Sequence, residues 1–360
     1  MAEPTARWGL VGPGQIAAVF AESLRETGVG ELVAVAGRSP LRTADFCEKH
    51  GGRAATLEAL LSDPEVEAVY VATPHARHPE AVRAALDAGK AVLCEKPLAT
   101  TAAVTRELHD TARRLGLPLV EGWMYRHHPQ LTRALEILRQ GSLGRPQKLV
   151  SGFGFHEPFV LEHRLFDPEL GGGAILDVGG YPVSLAMLLA GLADKGRRVE
   201  DMHDDPTRIE PRRRERLPFL QPYSMDATAR LSDERVDLHA EARLLFPGGF
   251  EAEVHASLEE DTGCTAVVEC NLGELSFENP FLPEGLRRGR VGRLTVKPVG
   301  DPAYTIEVEA PLDCFALEAR MMAQLLESGE TQPPPPLVDA EESISIARTL
   351  QAWREAVNAC

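Results

Sequence analysis

The chain has 360 residues, 44% hydrophobic and 26% charged, a globular composition with enough apolar material for two domains around separate cores. Lysine and arginine total 38 against 54 acidic residues, and a net charge of −16 argues against a general nucleic-acid binder or an anionic membrane surface, since both require a basic face. The acidic start Met1-Ala2-Glu3-Pro4-Thr5 lacks signal-peptide order, no sequence run suggests the roughly 18 apolar residues of a membrane span, and six cysteines without a CxxC pair fit reduced thiols in the cytoplasm rather than a disulfide or zinc framework.

The first third alternates two periodicities. Arg7–Val11 is a short apolar run ending at Gly12, and Gln15–Thr27 follows with Ile16, Val19, Phe20 and Leu24 on one helical face. Glu31–Ala36 predicts a second strand and Leu41–His50 a second helix. Val66–Ala72 reads as a buried strand stopped by Thr73-Pro74, and His78–Ala88 as a helix closed by Gly89. Ala91–Cys94, Thr100–Leu115 and Leu117–Glu121 continue as strand, helix and strand. Such alternation predicts an α/β fold with a doubly wound parallel sheet over residues 1–123, which binds ligands beyond the carboxyl ends of its strands.

From residue 124 to 360 the period shortens to two. Gln147–Phe155, Met225–Leu231, Val236–Phe246, Phe250–Leu258, Ala266–Asn271, Leu275–Glu278, Leu294–Val299 and Tyr304–Glu309 predict a large, mainly antiparallel open sheet in an α+β domain. Leu170–Leu192 predicts a helix opened by glycines, Asp194–Pro222 a polar mobile loop, and Asp313–Ser328 and Asp339–Ala359 two closing helices that can pack back on the first domain. Pro333–Pro336 between those helices reads as an extended spacer.

Gly12-Pro13-Gly14-Gln15-Ile16-Ala17 is a G-x-G-x-x-A turn between strand and helix. Gly12 permits the tight turn, Gly14 lets the backbone approach a pyrophosphate, and Ala17 allows close packing of helix on strand. Gln15 and Ile16 lie at the helix N-terminus, where phosphates sit. The second strand ends in Ala36-Gly37-Arg38-Ser39 with no carboxylate. Arg38 can fork onto a ribose 2′-phosphate and Ser39 can donate to it, which favours NADP over NAD; an aspartate at Gly37 should reverse that choice. Cys94-Glu95-Lys96-Pro97-Leu98 then sets a carboxylate and an ammonium at the sheet's carboxyl edge, and lysine is scarce here, six in all. His75 and His78 lie three apart without a third ligand, so no metal site is expected. His127 and His128 read as packing or surface residues.

Taken together these motifs resemble the glucose–fructose oxidoreductase, inositol dehydrogenase and MocA family of pyridine-nucleotide oxidoreductases. The resemblance rests on Gly12–Ala17, on Ala72-Thr73-Pro74-His75 with His78, and on Glu95-Lys96-Pro97. It continues through Glu121-Gly122-Trp123-Met124-Tyr125-Arg126 with Pro129, and through Gly171 to Asp177 and Tyr181. Many relatives carry histidine four residues after the aspartate; Tyr181 makes the chain similar to the branch of dihydrodiol dehydrogenases, glucose–fructose oxidoreductase and sugar ketoreductases. Pro13 departs from the usual Thr, Ala or Cys, and the segment 194–222 has no counterpart in the pattern.

The resemblance implies a Rossmann domain that binds NADP, with NAD as second choice, and hydride transfer to or from a sugar, polyol or cyclic diol. Lys96 and Tyr181 would handle the proton, and Asp177 would orient Lys96 or substrate hydroxyls. A positively charged oxidised nicotinamide disfavours an adjacent ammonium, which favours proton release from Lys96. Thr73, Pro74, His75, His78 and Glu95 would line the cofactor cleft, Trp123 and Arg126 would border the nicotinamide end, and Arg164 would reach substrate. Two other readings are a cofactor-dependent glycoside-cleaving enzyme and a catalytically silent dinucleotide sensor. The open sheet of the second domain is expected to pair with its copy in a homodimer or a dimer of dimers.

Overall fold

The protein is described here by a computed structural model covering residues 5–200, 219–283, 285 and 290–359. Its first half runs β1 (Ala6–Val11), α1 (Gln15–Thr27), β2 (Gly30–Ala36), α2 (Pro40–His50), β3 (Arg53–Ala55), α3 (Leu57–Leu61), β4 (Ala68–Val71), α4 (His78–Asp87), β5 (Ala91–Glu95), α5 (Ala102–Leu115) and β6 (Leu119–Gly122). The strands pair in parallel in the order β3-β2-β1-β4-β5-β6. Chain order reverses between β1 and β4, and that switch point opens a crevice at the carboxyl ends of the strands. The near-continuous apolar runs arise because helices cover both faces: every residue of β4 is buried. The short β3 and α3 were not anticipated, since three and five residues are too few to show a period.

The second half holds α6 (Pro129–Gln140), β7 (Pro146–Gly154), α7 (Gly180–Glu200), β8 (Ser224–Leu231), β9 (Asp237–Leu245), β10 (Glu251–Ser257), β11 (Gly263–Cys270), β12 (Gly273–Glu278), β13 (Val291–Pro298) and β14 (Tyr304–Glu309). The helices α8 (Cys314–Ser328) and α9 (Ala340–Asn358) close the chain. Its eight-stranded sheet has the order β14-β13-β12-β11-β7-β10-β9-β8 and is antiparallel except where β7 and β10 lie parallel at its centre. The inner face, with Leu149, Ala252, Val254, Leu275 and Leu294, packs under α6, α7 and α9. The outer face is polar, and ion pairs such as Lys148–Glu253 at 2.8 Å, Arg243–Glu251 at 2.7 Å and Arg293–Glu307 at 2.8 Å cross it. Such a face is compatible with water and does not by itself demand a second copy.

Three sequence expectations need correction here. α6 was missed, although Pro129 stands at its first turn, the His128 ring accepts from Gln130 N at 3.1 Å, and Leu131, Ala134, Leu135 and Leu138 bury one face. The helix expected over Leu170–Leu192 is a short 3₁₀ turn, a π-helical segment Ile175–Gly179, and then α7. Finally, α7 carries on to Glu200 through the start of the expected loop 194–222, of which 201–218 lies outside the described residues. Pro168–Asp194 is long and apolar enough in composition to cross a membrane, yet its apolar window is wholly buried inside the fold, the packing of a core helix.

α8 packs on α1 and β1, placing Phe315 and Met322 in one core with Trp8, Phe20 and Tyr70. α9 lies along α5, where Gln351 Oε1 accepts from Ala102 N at 3.1 Å. On α5, His109 is buried and neither ring nitrogen has a hydrogen-bond partner. Burial pulls this histidine from 6.5 down to about 4. The unfolded chain therefore takes up a proton here before the folded chain does, so this contribution to stability is complete above pH 6.5 and is lost as the pH falls toward 4. His109→Phe keeps a ring and removes the two unpaired nitrogens. It should raise stability at pH 7 by about 1 kcal/mol and flatten the acid loss, as read by urea unfolding at pH 7 and pH 4.5; an unchanged pH slope would show that His109 is not its source.

Candidate active site

A cleft of about 1540 Å³ runs from the dinucleotide loop to the inner end of the eight-stranded sheet, lined from both halves. At one end Gly12 has φ +96, and a Cβ there would sit 2.8 Å from the Ala72 carbonyl and 2.9 Å from Thr73 N, so the turn admits glycine alone. Gly14 is the N-cap of α1, with no side-chain cap and no acid in the first turn. A Cβ on Gly14 would meet only Gly12 O, 4.0 Å away, so the space in front of the α1 N–H groups is open. That arrangement fits a pyrophosphate. Gln15, Ile16, Arg38 and Ser39 line this end as well, together with Arg42, which the sequence reading missed. Its signal was present: Arg42 lies one turn beyond Arg38, and its amide donates to the Ser39 cap at 3.4 Å.

The middle of the cleft is shaped by two loops that follow β4 and β5. Thr73, Pro74, His75 and His78 all line it. The His78 ring lies between Thr73 O at 2.7 Å and Pro97 O at 2.8 Å, and so joins the two loops. Burial lowers His78 to about 4, so the ring is neutral at pH 7 and donates to one carbonyl at a time. Behind this loop, buried Glu121 accepts from Leu98 N at 2.8 Å and from the Ser343 hydroxyl at 2.5 Å, which fixes the chain just after Lys96.

Lys96, Asp177, His75, Arg164 and Tyr181 converge at the far end. Lys96 Nζ donates to the backbone carbonyl of Asp177, lies 3.9 Å from Asp177 Oδ1 and stands 5.1 Å from the centre of the Tyr181 ring. Asp177 Oδ1 also takes Arg164 Nη1 at 3.0 Å and faces His75 Nε2 at 3.7 Å. Burial alone would raise the Asp177 carboxyl, but Lys96, Arg164 and His75 outweigh it and hold the group well below the usual carboxylate range. Desolvation lowers His75 to about 3 despite the facing Asp177, so that ring is neutral; its Nδ1 lies 2.9 Å from Gly171 O. Burial, followed by the nearby Glu95 and Asp177, pushes the Tyr181 phenol well above its ordinary value and keeps it protonated. Burial likewise raises Glu95, which accepts from the Tyr70 hydroxyl at 2.6 Å.

Asp177 stands in the π-helical segment, and a residue sixty positions away holds that segment in place. Asp237, at the start of β9, accepts from Ile175 N at 2.6 Å, while Gly173 at φ +115 leaves room for its carboxylate. No local signal in the sequence could have linked 237 to 177.

Two residues expected at the nicotinamide end lie elsewhere. Trp123 is buried behind Tyr181, edge-on to it with ring centres 5.5 Å apart, and packs so tightly on Gly180 that a Cβ there would be 2.5 Å from the indole. Arg126 is 1% exposed and bonds Glu342 at 2.7 Å, Ser184 O at 2.8 Å and Pro336 O at 3.0 Å. It ties α9 and the proline stretch to the domain junction. Both residues pack behind the site without lining it, whereas the family resemblance had implied that they border the nicotinamide end.

Comparison with known proteins identifies the family of the chain. Residues 6–122 match the model of an oxidoreductase family with an NAD-binding Rossmann fold, and residues 131–276 match the GFO/IDH/MocA C-terminal domain. The chain is 31% identical over 341 residues to D-xylose 1-dehydrogenase (NADP(+)) 2 of Haloferax volcanii, covering 90% of this chain and 89% of that protein. It is 30% identical over 357 residues to trans-1,2-dihydrobenzene-1,2-diol dehydrogenase of Mus musculus, covering 98% and 96%. A 3-ketoreductase of Actinomadura kijaniata, solved with NADP and TDP-benzene, superposes with a TM-score of 0.79 at 27% identity over 98% of each chain. Both domains, in order and along nearly the whole length, place the chain in the GFO/IDH/MocA family of oxidoreductases.

Proposed function

We propose that the chain is an NADP(H)-dependent oxidoreductase that interconverts a carbinol and a carbonyl on a sugar, polyol or cyclic diol. The observation that carries this reading is the convergence of Lys96, Asp177, His75 and Tyr181 in the same cleft as an open, uncapped dinucleotide turn. The relatives named for xylose and dihydrobenzenediol oxidation, and the solved neighbour that holds NADP, support it.

A bound nicotinamide supplies or accepts the hydride. The protein's task is the proton on the substrate oxygen. Lys96 brings an ammonium to that oxygen, with its direction set by the Asp177 carbonyl. Tyr181 brings a phenol that stays protonated at neutral pH and can donate to the same oxygen. The ionised Asp177 anchors Lys96 and Arg164, and neutral His75 beside it can bond a neighbouring substrate hydroxyl. Phe153 and Phe155 line the cleft here and offer apolar surface to the ring carbons of a sugar or cyclic diol. At the other end, exposed Arg38 lines the cleft with Ser39 and Arg42, a set that can take a ribose 2′-phosphate.

Lys96→Met should lower kcat by about 10²–10⁴ while leaving the dissociation constant of the cofactor within a few-fold. Tyr181→Phe should act in the same way, and the double variant should fall only a little below the poorer single, because the two groups serve one proton transfer. Absorbance at 340 nm with NADP⁺ and a panel of free sugars and diols reads this directly; near-normal turnover in Lys96→Met would sink the mechanism.

Arg38→Ala should weaken NADP(H) by roughly 10- to 150-fold, the equivalent of a charge-assisted hydrogen bond of about 1.5–3 kcal/mol, and leave NAD(H) within a few-fold. Equal losses for both cofactors in parallel titrations would mean that Arg38 only stacks on adenine.

A further inference from the structure

Proline at residue 13 sets this dinucleotide loop apart, and the fold brings it against the end of β2. A Cβ added to Gly37 would stand 2.7 Å from Pro13 Cδ, 2.8 Å from Pro13 Cγ and 2.7 Å from Thr43 Oγ1. Carbon atoms of side chains do not approach so closely, so one wall would have to move. Neither wall yields easily. The pyrrolidine ring has no side-chain rotamer to change and its φ is fixed. Thr43 is 2% exposed, and its hydroxyl donates to Ser39 O at 2.9 Å. The loop itself is pinned by Gly12 N, which donates to Ala36 O at 2.9 Å.

Gly37 is the first residue after β2, the place where a Rossmann fold that selects NAD carries a carboxylate for the ribose hydroxyls. We infer that Pro13, backed by Thr43, is a specificity-determining residue of the cofactor site: it bars any side chain from position 37 and so leaves the adenosine ribose to Arg38, Ser39 and Arg42. NADP preference then has two sources, cations that attract a 2′-phosphate and a wall that excludes the competing acid. On this inference an aspartate installed at Gly37 would repel the phosphate but would meet the wall before it could serve as the ribose acceptor. The inference rests on the NADP reading of the cleft, and the two can fail separately.

The test measures dissociation constants for NADP⁺ and NAD⁺ by calorimetry on the full chain, with thermal melting as a check on folding. Gly37→Asp alone should weaken both cofactors by about tenfold or more, the expected scale of an overpacked contact. Adding Pro13→Ala and Thr43→Ala to it should recover about tenfold in NAD⁺ affinity while NADP⁺ stays weak, which inverts the preference. Gly37→Ala adds only the clashing atom and keeps the experiment readable if the aspartate variant does not fold. It should weaken both cofactors or lower the melting temperature, and the same two substitutions should repair the defect. Gly37→Asp in the otherwise native chain binding NAD⁺ more tightly than the native chain overturns the inference, as does a Gly37→Ala variant indistinguishable from native. A native chain that prefers NAD⁺ instead removes the NADP reading, whatever the Gly37→Ala comparison shows.

Discussion

An ionised carboxylate out of contact with water is costly unless nearby cations compensate it, and the buried Asp177 imposes that condition on the rest of the site. Two cations from separate loops supply the compensation, Lys96 after β5 and Arg164 from the loop between β7 and α7, while the neutral His75 ring after β4 faces the same oxygen. Lys96, His75 and Asp177 are in turn fixed by other groups. Glu121 and Ser343 hold the chain beside Lys96, Gly171 O meets His75, and Asp237 holds the segment that carries Asp177. Geometry at the proposed proton-transfer position is thus a by-product of neutralising one charge, and both domains are committed to it.

This dependence explains why the two halves differed in how well they could be read. The parallel sheet was legible because its strands are buried on both faces and the helices between them carry clear caps, such as Thr101 and Gly116 on α5. In the second half, alternation in β9, β10 and β13 reports directly on one apolar and one polar face. What failed were features set by tertiary contact. β3 exists because β2 offers it an edge, and the parallel meeting of β7 with β10 joins strands a hundred residues apart. The apolar period of α6 was readable but was passed over beside the change of pattern at residue 124.

Site residues divide in the same way. Gly12, Gly14, Lys96, Asp177 and Tyr181 were legible because motif spacing carries their chemistry, and the fold gathers all of them around one cleft. The resemblance put Arg126 beside the nicotinamide, whereas its buried guanidinium is taken up by the carboxylate of Glu342 and two backbone carbonyls. Sequence shows the charge and not the burial. Asp237 was invisible, and Glu121, although it opens the matched motif, showed no role, since an acid in a strand carries no mark of the amide it will accept from.

The two ends of the cleft therefore run on different physics. The adenosine end uses backbone turns and exposed arginines, where water and salt screen each charge and selectivity depends on how many cations reach a phosphate and on which side chains fit beside it. The chemical end uses buried groups whose protonation is set by desolvation and by one another: Asp177 pushed down, Tyr181 pushed up, His75 kept neutral. If the first end holds a phosphate as proposed, removing a cation there weakens binding only by the strength of its own bond to it. Removing one from the second leaves Asp177 under-compensated, so the effect spreads to every group that shares it. On the proposed reading, cofactor choice is the separable property of this fold: residues 13, 37, 38 and 43 lie apart from the charge cluster around Asp177, whose members share one carboxylate.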